Sequence, residues 1–300
     1  MKHLFLIIFL ITSIQLQAQN FKIEKITEAD FKELKYEKDT TANAVVEYRI
    51  GNSYFEQAGS NYQLVTITKT RIRILKKEGY SYATLKVPLY RDQSKKEILT
   101  VSNAFTYNLV DGKVEKTKLG SSGEFTEKVE GNHYLNTFTM PNVKEGSIIE
   151  YTTKLTSPFF TYIPEWSFQF DVPVVYSQFS IRIPEFLYFY KFIKGSVNVV
   201  QSTIGDEYFY RVNNVPALRD EGFVNNINNY RSSIIHNFNG YQDNTRSLTM
   251  VAGTWEDVSK SIYEHENFGQ QLKKGDFLKE TAQQVTSGLA KKKEMQYSNM

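Results

Sequence analysis

Alternation in LVTITKTRIRIL, residues 64–75, restricts this chain more than any other feature. Successive side chains on a strand point to opposite faces, so Ile72 and Ile74 share one side and Arg71 and Arg73 the other. The segment reads as a strand with one packed face and one wet face. From about residue 44 to 250 the same grammar continues. Short runs rich in Val, Ile, Thr, Tyr and Phe are punctuated by Gly, Pro and Asn-Asp clusters, the pattern of antiparallel strands in a sandwich. The predicted class is mainly β, a sandwich-like antiparallel domain followed by a short α-helical connector.

Particular turns and faces follow. In AFTYNLVDGKVEKTKL, Asp111-Gly112 lies between two strand-like runs and supplies the positive φ angles of a two-residue hairpin turn. VPVVYSQFSIRIP places Val175, Phe179 and Ile181 on one face and Gln178 and Arg182 on the other, bounded by Pro173 and Pro184. FLYFYKFI and DEYFYRVNNV read as a strand pair joined by a loop or a short strand. Within the first, Tyr188, Tyr190 and Phe192 alternate with Leu187, Phe189 and Ile193, which suggests cover on both sides. After about residue 251 the period changes. Trp255, Val258 and Ile262 recur at helical spacing behind Thr254, a candidate N-cap with Asp257 three residues on. Leu278, Thr281, Val285 and Leu289 form the stripe of a second helix that ends in three lysines. The closing KKKEMQYSNM carries no strand or helix stop and reads as though interrupted.

The N-terminus sets the compartment. Lys2 and His3 precede the apolar run LFLIIFLI, then TSIQLQAQN turns polar around Ala18. That is the form of a secretory signal peptide over residues 1–18, cleaved near Ala18; the run is shorter than the about 20 residues a bilayer span needs. The expected location is exported, in the periplasm or cell envelope of a Gram-negative-type bacterium, with no transmembrane segment in the mature chain. Residues 19–45 form a lead segment, 46–252 the β domain and 253–300 the connector. The 36 Lys and Arg against 33 Asp and Glu are interleaved, so no basic stripe follows a nucleic-acid backbone. There is no cysteine. No disulfide, thiolate metal cluster, thiol nucleophile or lipid-bearing cysteine is available to the chain.

The remaining candidates for chemistry are thin. His133, His236 and His265 stand in no metal-ligand spacing, and His265 on a helix between Glu264 and Glu266 reads as solvated surface. No serine elbow, phosphate loop or paired-histidine zinc motif occurs. Two acids about 5 to 9 Å apart could hydrolyse a glycosidic bond, and Glu145, Glu150, Glu165 and Asp171 are close enough in sequence to be candidates. Glu150 alternates with Ile149 and Tyr151 and shares its side with Thr152 and Lys154, a solvent-facing row. The sequence therefore nominates no catalytic, cofactor-binding or metal-binding residue. The 20 Tyr and 21 Phe suit a sandwich core better than a ligand platform. A glycan-binding or carboxylate-dependent glycan-processing role is the alternative, with Trp166 the aromatic whose truncation would test it.

RIRILKKEGYSYATLKVPLY, AFTYNLVDGKVEKTKL, MPNVKEGSIIEYTTKLTSP, WSFQFDVPVVYSQFSIRIP and NNVPALRDEGF follow one another in order. Together they resemble the N-terminal β domain, of unknown function and numbered 3857, of exported bacterial transglutaminase-like proteins, over residues 46 to 225. The resemblance implies a signal, a β-sandwich-like module, a helical connector and then a transglutaminase-like domain with Cys, His and Asp. It makes residues 253–300 the connector and the start of that domain. Lacking cysteine, this chain receives no catalytic residue from the resemblance. It implies a non-catalytic module that positions, regulates or recruits substrate for such a domain, with a protein or peptide as its partner and no nucleic acid.

Overall fold

The computed structural model describes residues 21–32, 35–251 and 254–286; the expected signal peptide over residues 1–18, Leu289 and the terminal lysines lie outside them. The strands are β1 (Ala44–Ala58), β2 (Asn61–Ile74), β3 (Thr84–Tyr90), β4 (Ile98–Val110) and β5 (Lys113–Lys118). β6 (Glu124–Glu130), β7 (His133–Thr139), β8 (Ile148–Ser157), β9 (Ile163–Ser167) and β10 (Val174–Arg182) come next. The last five are β11 (Leu187–Lys194), β12 (Val200–Ile204), β13 (Glu207–Val215), β14 (Ser233–Gln242) and β15 (Leu248–Met250).

An eight-stranded sheet runs in the order β12-β13-β10-β1-β2-β8-β4-β5. All its pairings are antiparallel except β1 with β10, which is parallel and joins Val46 to Val174. A second sheet has β14 between β11 on one edge and β9 and β15 on the other. A third is β3-β7-β6. The mainly β, sandwich-like class read from the sequence is the observed one. The Asp111-Gly112 turn is present, with φ of 48° and 77° closing β4 onto β5.

The expected pairing of FLYFYKFI with DEYFYRVNNV is not found. β13 pairs with β10 and β12 in the large sheet, whereas β11 pairs with β14 in the second. Alternation fixes which side chains share a face, not which strand lies alongside.

Between the layers lies one apolar cluster. Ile72, Ile149, Phe179 and Ile181 of the large sheet meet Phe168, Trp166 and Ile234 of the second layer and Phe138 of the third. Burying each such side chain is worth about 1.5–3 kcal/mol against conformational entropy. Val175 departs from the face expected for it: it packs on a smaller cluster of Ala42, Val45 and Leu75, while Phe179 and Ile181 enter the main one.

The far face of the large sheet is not wet where Arg71 and Arg73 project. The lead segment lies across it. Phe21 stacks on Tyr176 at 4.2 Å and meets Tyr48 edge-on, and Phe31, in a 3-10 turn over Glu28–Phe31, is buried.

At the other end of the chain, helix α1 (Trp255–Glu264) starts as the sequence predicts. The Asp257 amide donates to Thr254 Oγ1 and the Thr254 amide donates to Asp257 Oδ2, a closed capping box. His265 stands just past the helix in extended backbone, not within it. Helix α2 (Lys279–Thr286) follows a 3-10 turn over Gly275–Leu278.

Candidate functional site

The four acids weighed for glycoside hydrolysis go to separate places. Glu145 accepts the Lys77 amide, Glu165 pairs with Lys194 at 2.9 Å, and Asp171 lies near Tyr82, where it helps burial to raise the phenol above its ordinary range. Glu150 is not part of a solvent-facing row. It accepts hydrogen bonds from Arg71 Nε and Nη2 at 2.8 and 2.6 Å and from Tyr48 Oη at 2.8 Å.

A β-bulge between Val46 and Tyr48 leaves Glu47 unopposed, and its carboxylate takes Arg73 at 2.5 Å and Arg71 at 3.9 Å. The lead segment closes this cluster from above, where the Glu24 and Asp30 carbonyls accept from Arg71 and Arg73. Burial, then the Glu150 charge, push the Tyr48 hydroxyl far above the ordinary phenol range, so it acts as a donor. Both carboxylates are neutralised by guanidinium, and nothing here is free to attack or to protonate a substrate. The sequence signal was the pair of arginines on one face. What it lacked was the cover.

The opposite face of the same sheet carries a cleft. Register places Arg49 beside Thr70, Gly51 beside Thr68 and Ser53 beside Thr66, and across the next pairing Thr70 beside Tyr151 and Thr68 beside Thr153. These short side chains leave a space of about 200 Å³, walled by Leu85 and Val87 of β3 and by Pro164, Glu165 and Trp166 of β9. Gly51 is required there. A Cβ at that position would lie 2.3 Å from the Trp166 ring.

Trp166, 3% exposed, stacks on Phe179 and donates from Nε1 to Ser177 Oγ at 3.2 Å. It is thus held rigidly and cannot be the exposed sugar platform the sequence allowed. Over its ring, 3.5 Å from the centroid, lies the Arg49 guanidinium. Arg49 Nη1 donates to the Ser167 carbonyl at 3.3 Å. Among the described residues no carboxylate is within ion-pair distance of it. Burial lowers this guanidinium to about 10, which leaves it charged at neutral pH. A cation, hydroxyls and apolar walls make a place to bind a group, not to activate a nucleophile. Only the run YRIG hinted at it, a cation two residues before the glycine.

The remaining sequence candidates lie elsewhere. His236 is buried between the Phe179 and Tyr210 rings, with neither ring nitrogen partnered among the described residues, and His133 stands edge-on to Tyr90. Among the described residues no three His, Asp or Glu side chains gather as metal ligands. Nor is any helix there long and apolar enough to cross a membrane.

β11 is open on one side, contrary to the expectation of cover on both: Leu187 is buried and Phe189 packs on the core, while Tyr188, Tyr190 (65% exposed) and Phe192 face outward. On β14, Gly240 stands opposite both Tyr188 and Met250. In the C-terminal segment Trp255 and Leu272 are each 79% exposed, and Tyr263 and Phe268 are open as well.

Residues 60–219 match the profile of a domain of unknown function, number 3857, that is known from solved structures. The crystal structure of a candidate protease from Parabacteroides distasonis is similar over 85% of this chain at 12% identity, with a TM-score of 0.59. The match covers 49% of that protein, so this chain spans about half its length. The likeness shows a shared fold. Leukotriene A4 hydrolase from Saccharomyces cerevisiae (TM-score 0.33, 9% identity, 67% of this chain and 30% of that one) is more distant. So is an M1 zinc metallopeptidase from Deinococcus radiodurans (TM-score 0.27, 9% identity, 68% and 45%). At those scores neither carries an argument. No curated protein matches.

Proposed function

The chain belongs to the family of domain of unknown function 3857, and we propose that it is an exported, non-catalytic β module that recruits or positions a substrate chain for a transglutaminase-like or peptidase-like domain. The observation that carries this reading is the uncovered apolar surface of the C-terminal segment, where Trp255, Tyr263, Phe268 and Leu272 have no layer of the β domain over them. Large apolar groups left in water mark a surface that works against a partner. The half-length match to a candidate protease supports the same assignment, because it sets this fold within a longer polypeptide there.

A cysteine-free chain has no thiol for acyl transfer, and the arginine-neutralised acids offer no general acid and base pair. The test compares a transglutaminase-like protein carrying this module with the same protein lacking residues 44–251. Removal raises KM for a protein substrate and leaves a small chromogenic ester unaffected. Equal KM values for the protein substrate, or turnover of the ester by the purified chain alone, would defeat the reading. Cell fractionation checks the export component, with the chain expected in the periplasmic or envelope fraction.

A second reading, glycan binding, draws on the open row of Tyr188, Tyr190 and Phe192, since flat exposed rings stack on sugars. It requires saturable binding on a glycan array that Tyr190→Ala removes.

A further inference from the structure

Arg49 differs from the other arginines of the large sheet's centre. Arg71 and Arg73 bring Glu150 and Glu47 with them. Arg49 has one carbonyl and an aromatic face, and its other N–H groups make no protein hydrogen bond among the described residues. A guanidinium half withdrawn from water, as Arg49 is, without a counter-charge is costly unless something neutralises it. The space in front of it has the means to hold that something. Thr68 and Thr66 supply hydroxyls from the floor, and Leu85 and Val87 supply an apolar wall.

From this geometry we propose that the cleft binds one carboxylate group of a peptide, either a Glu or Asp side chain or the α-carboxylate at a chain end. The planar guanidinium fork matches a carboxylate, and a single cation balances a single negative charge. A phosphate dianion fits less well. No lysine lines the cleft among the described residues, and Glu165, which does line it, already takes the Lys194 ammonium and would repel a second negative charge. The volume of about 200 Å³ lies below the range of about 300–1,000 Å³ usual for cofactors and drug-sized ligands, and suits one side chain with its stem.

The inference gives chemistry to the recruitment proposed above and takes its biological sense from that reading. Its test needs no catalytic partner, so either can fail alone. The chain has two tryptophans. With Trp255→Phe as background, fluorescence of the whole chain reports on Trp166 under the guanidinium. The probes are N-acetylglutamic acid amide, the free acid N-acetylalanylglycine, the neutral control N-acetylglutamine amide, and inorganic phosphate.

The expected result is a saturable change with one or both carboxylate probes, which identifies the source, and none with the glutamine control. Arg49→Met should weaken it by about tenfold or more. Thr68→Leu, which fills the cleft and leaves the guanidinium in place, should abolish it and decides the matter if Arg49→Met does not fold. Saturation by phosphate alone, an equal response to glutamine, no response to any probe, or binding unchanged in Thr68→Leu would overturn the proposal.

Discussion

The two faces of the large sheet use arginine in opposite ways. On the outer face Arg71 and Arg73 meet Glu150 and Glu47, the Tyr48 hydroxyl joins them, and the lead segment closes the top with two backbone carbonyls. On the inner face Arg49 lies against Trp166 and opens onto a cleft whose one lining carboxylate, Glu165, is paired with Lys194 and not with Arg49. One face is a completed polar network and the other an uncompleted one. A partly buried network whose members are all matched fixes a strand register and a lid. A lone half-buried cation without a counter-charge fixes nothing that an apolar side chain would not, so its presence points outward, to a ligand.

That contrast can be broken by measurement. The largest effect is expected from Glu150→Ala, which strips Arg71 of its two short bonds to a carboxylate and leaves it the Glu24 carbonyl and the Glu47 contact at 3.9 Å. Removing one partner of a largely buried pair costs about 3–4 kcal/mol, read as a lower urea midpoint. A loss within about 0.5 kcal/mol would make the outer network decorative.

Next comes acid sensitivity on the inner side. Burial, and secondarily Lys191, lower the His236 imidazole to about 4 from about 6.5. Between those values the unfolded chain takes up a proton that the folded one refuses. Stability is therefore whole above about pH 6.5, falls as pH drops toward 4, and levels off after losing at most about 3 kcal/mol. Thermal unfolding across that range checks it, and His236→Phe should flatten the part due to this residue.

The smallest effect sharpens the comparison most. Arg49→Met keeps the stem over Trp166 and removes the charge, so unfolding should shift by less than about 1 kcal/mol in either direction. A loss as large as that of Glu150→Ala would show Arg49 to be a structural cation after all.

Local chemistry was readable from residues in order. Asp111-Gly112 announced its turn, Thr254 and Asp257 their cap, and Ile72 and Ile74 the packed side of β2. What failed to show was anything decided by a distant segment. The polar side of β2 looked wet because nothing in residues 64–75 reveals that Glu24, Asp30 and Phe31 will lie over it. Glu150 looked solvated for the same reason. Tyr190 and Phe192 looked covered because an aromatic run on both faces of a strand resembles a central one, whereas among the described residues no second layer lies over that side of β11. Arg49 was a single charge in a strand until β9 laid Trp166 across Gly51.

The parallel pairing of β1 with β10 carries a consequence for how this molecule is made. Val46 is synthesised long before Val174, so one rim of the β1–β2 hairpin stays unsealed while most of the domain emerges. Exposed strand rims of that kind invite adhesion between chains, and late long-range closure is slow. Shielding of the nascent chain until residue 182 has been delivered would then govern yield more than any gain in final stability.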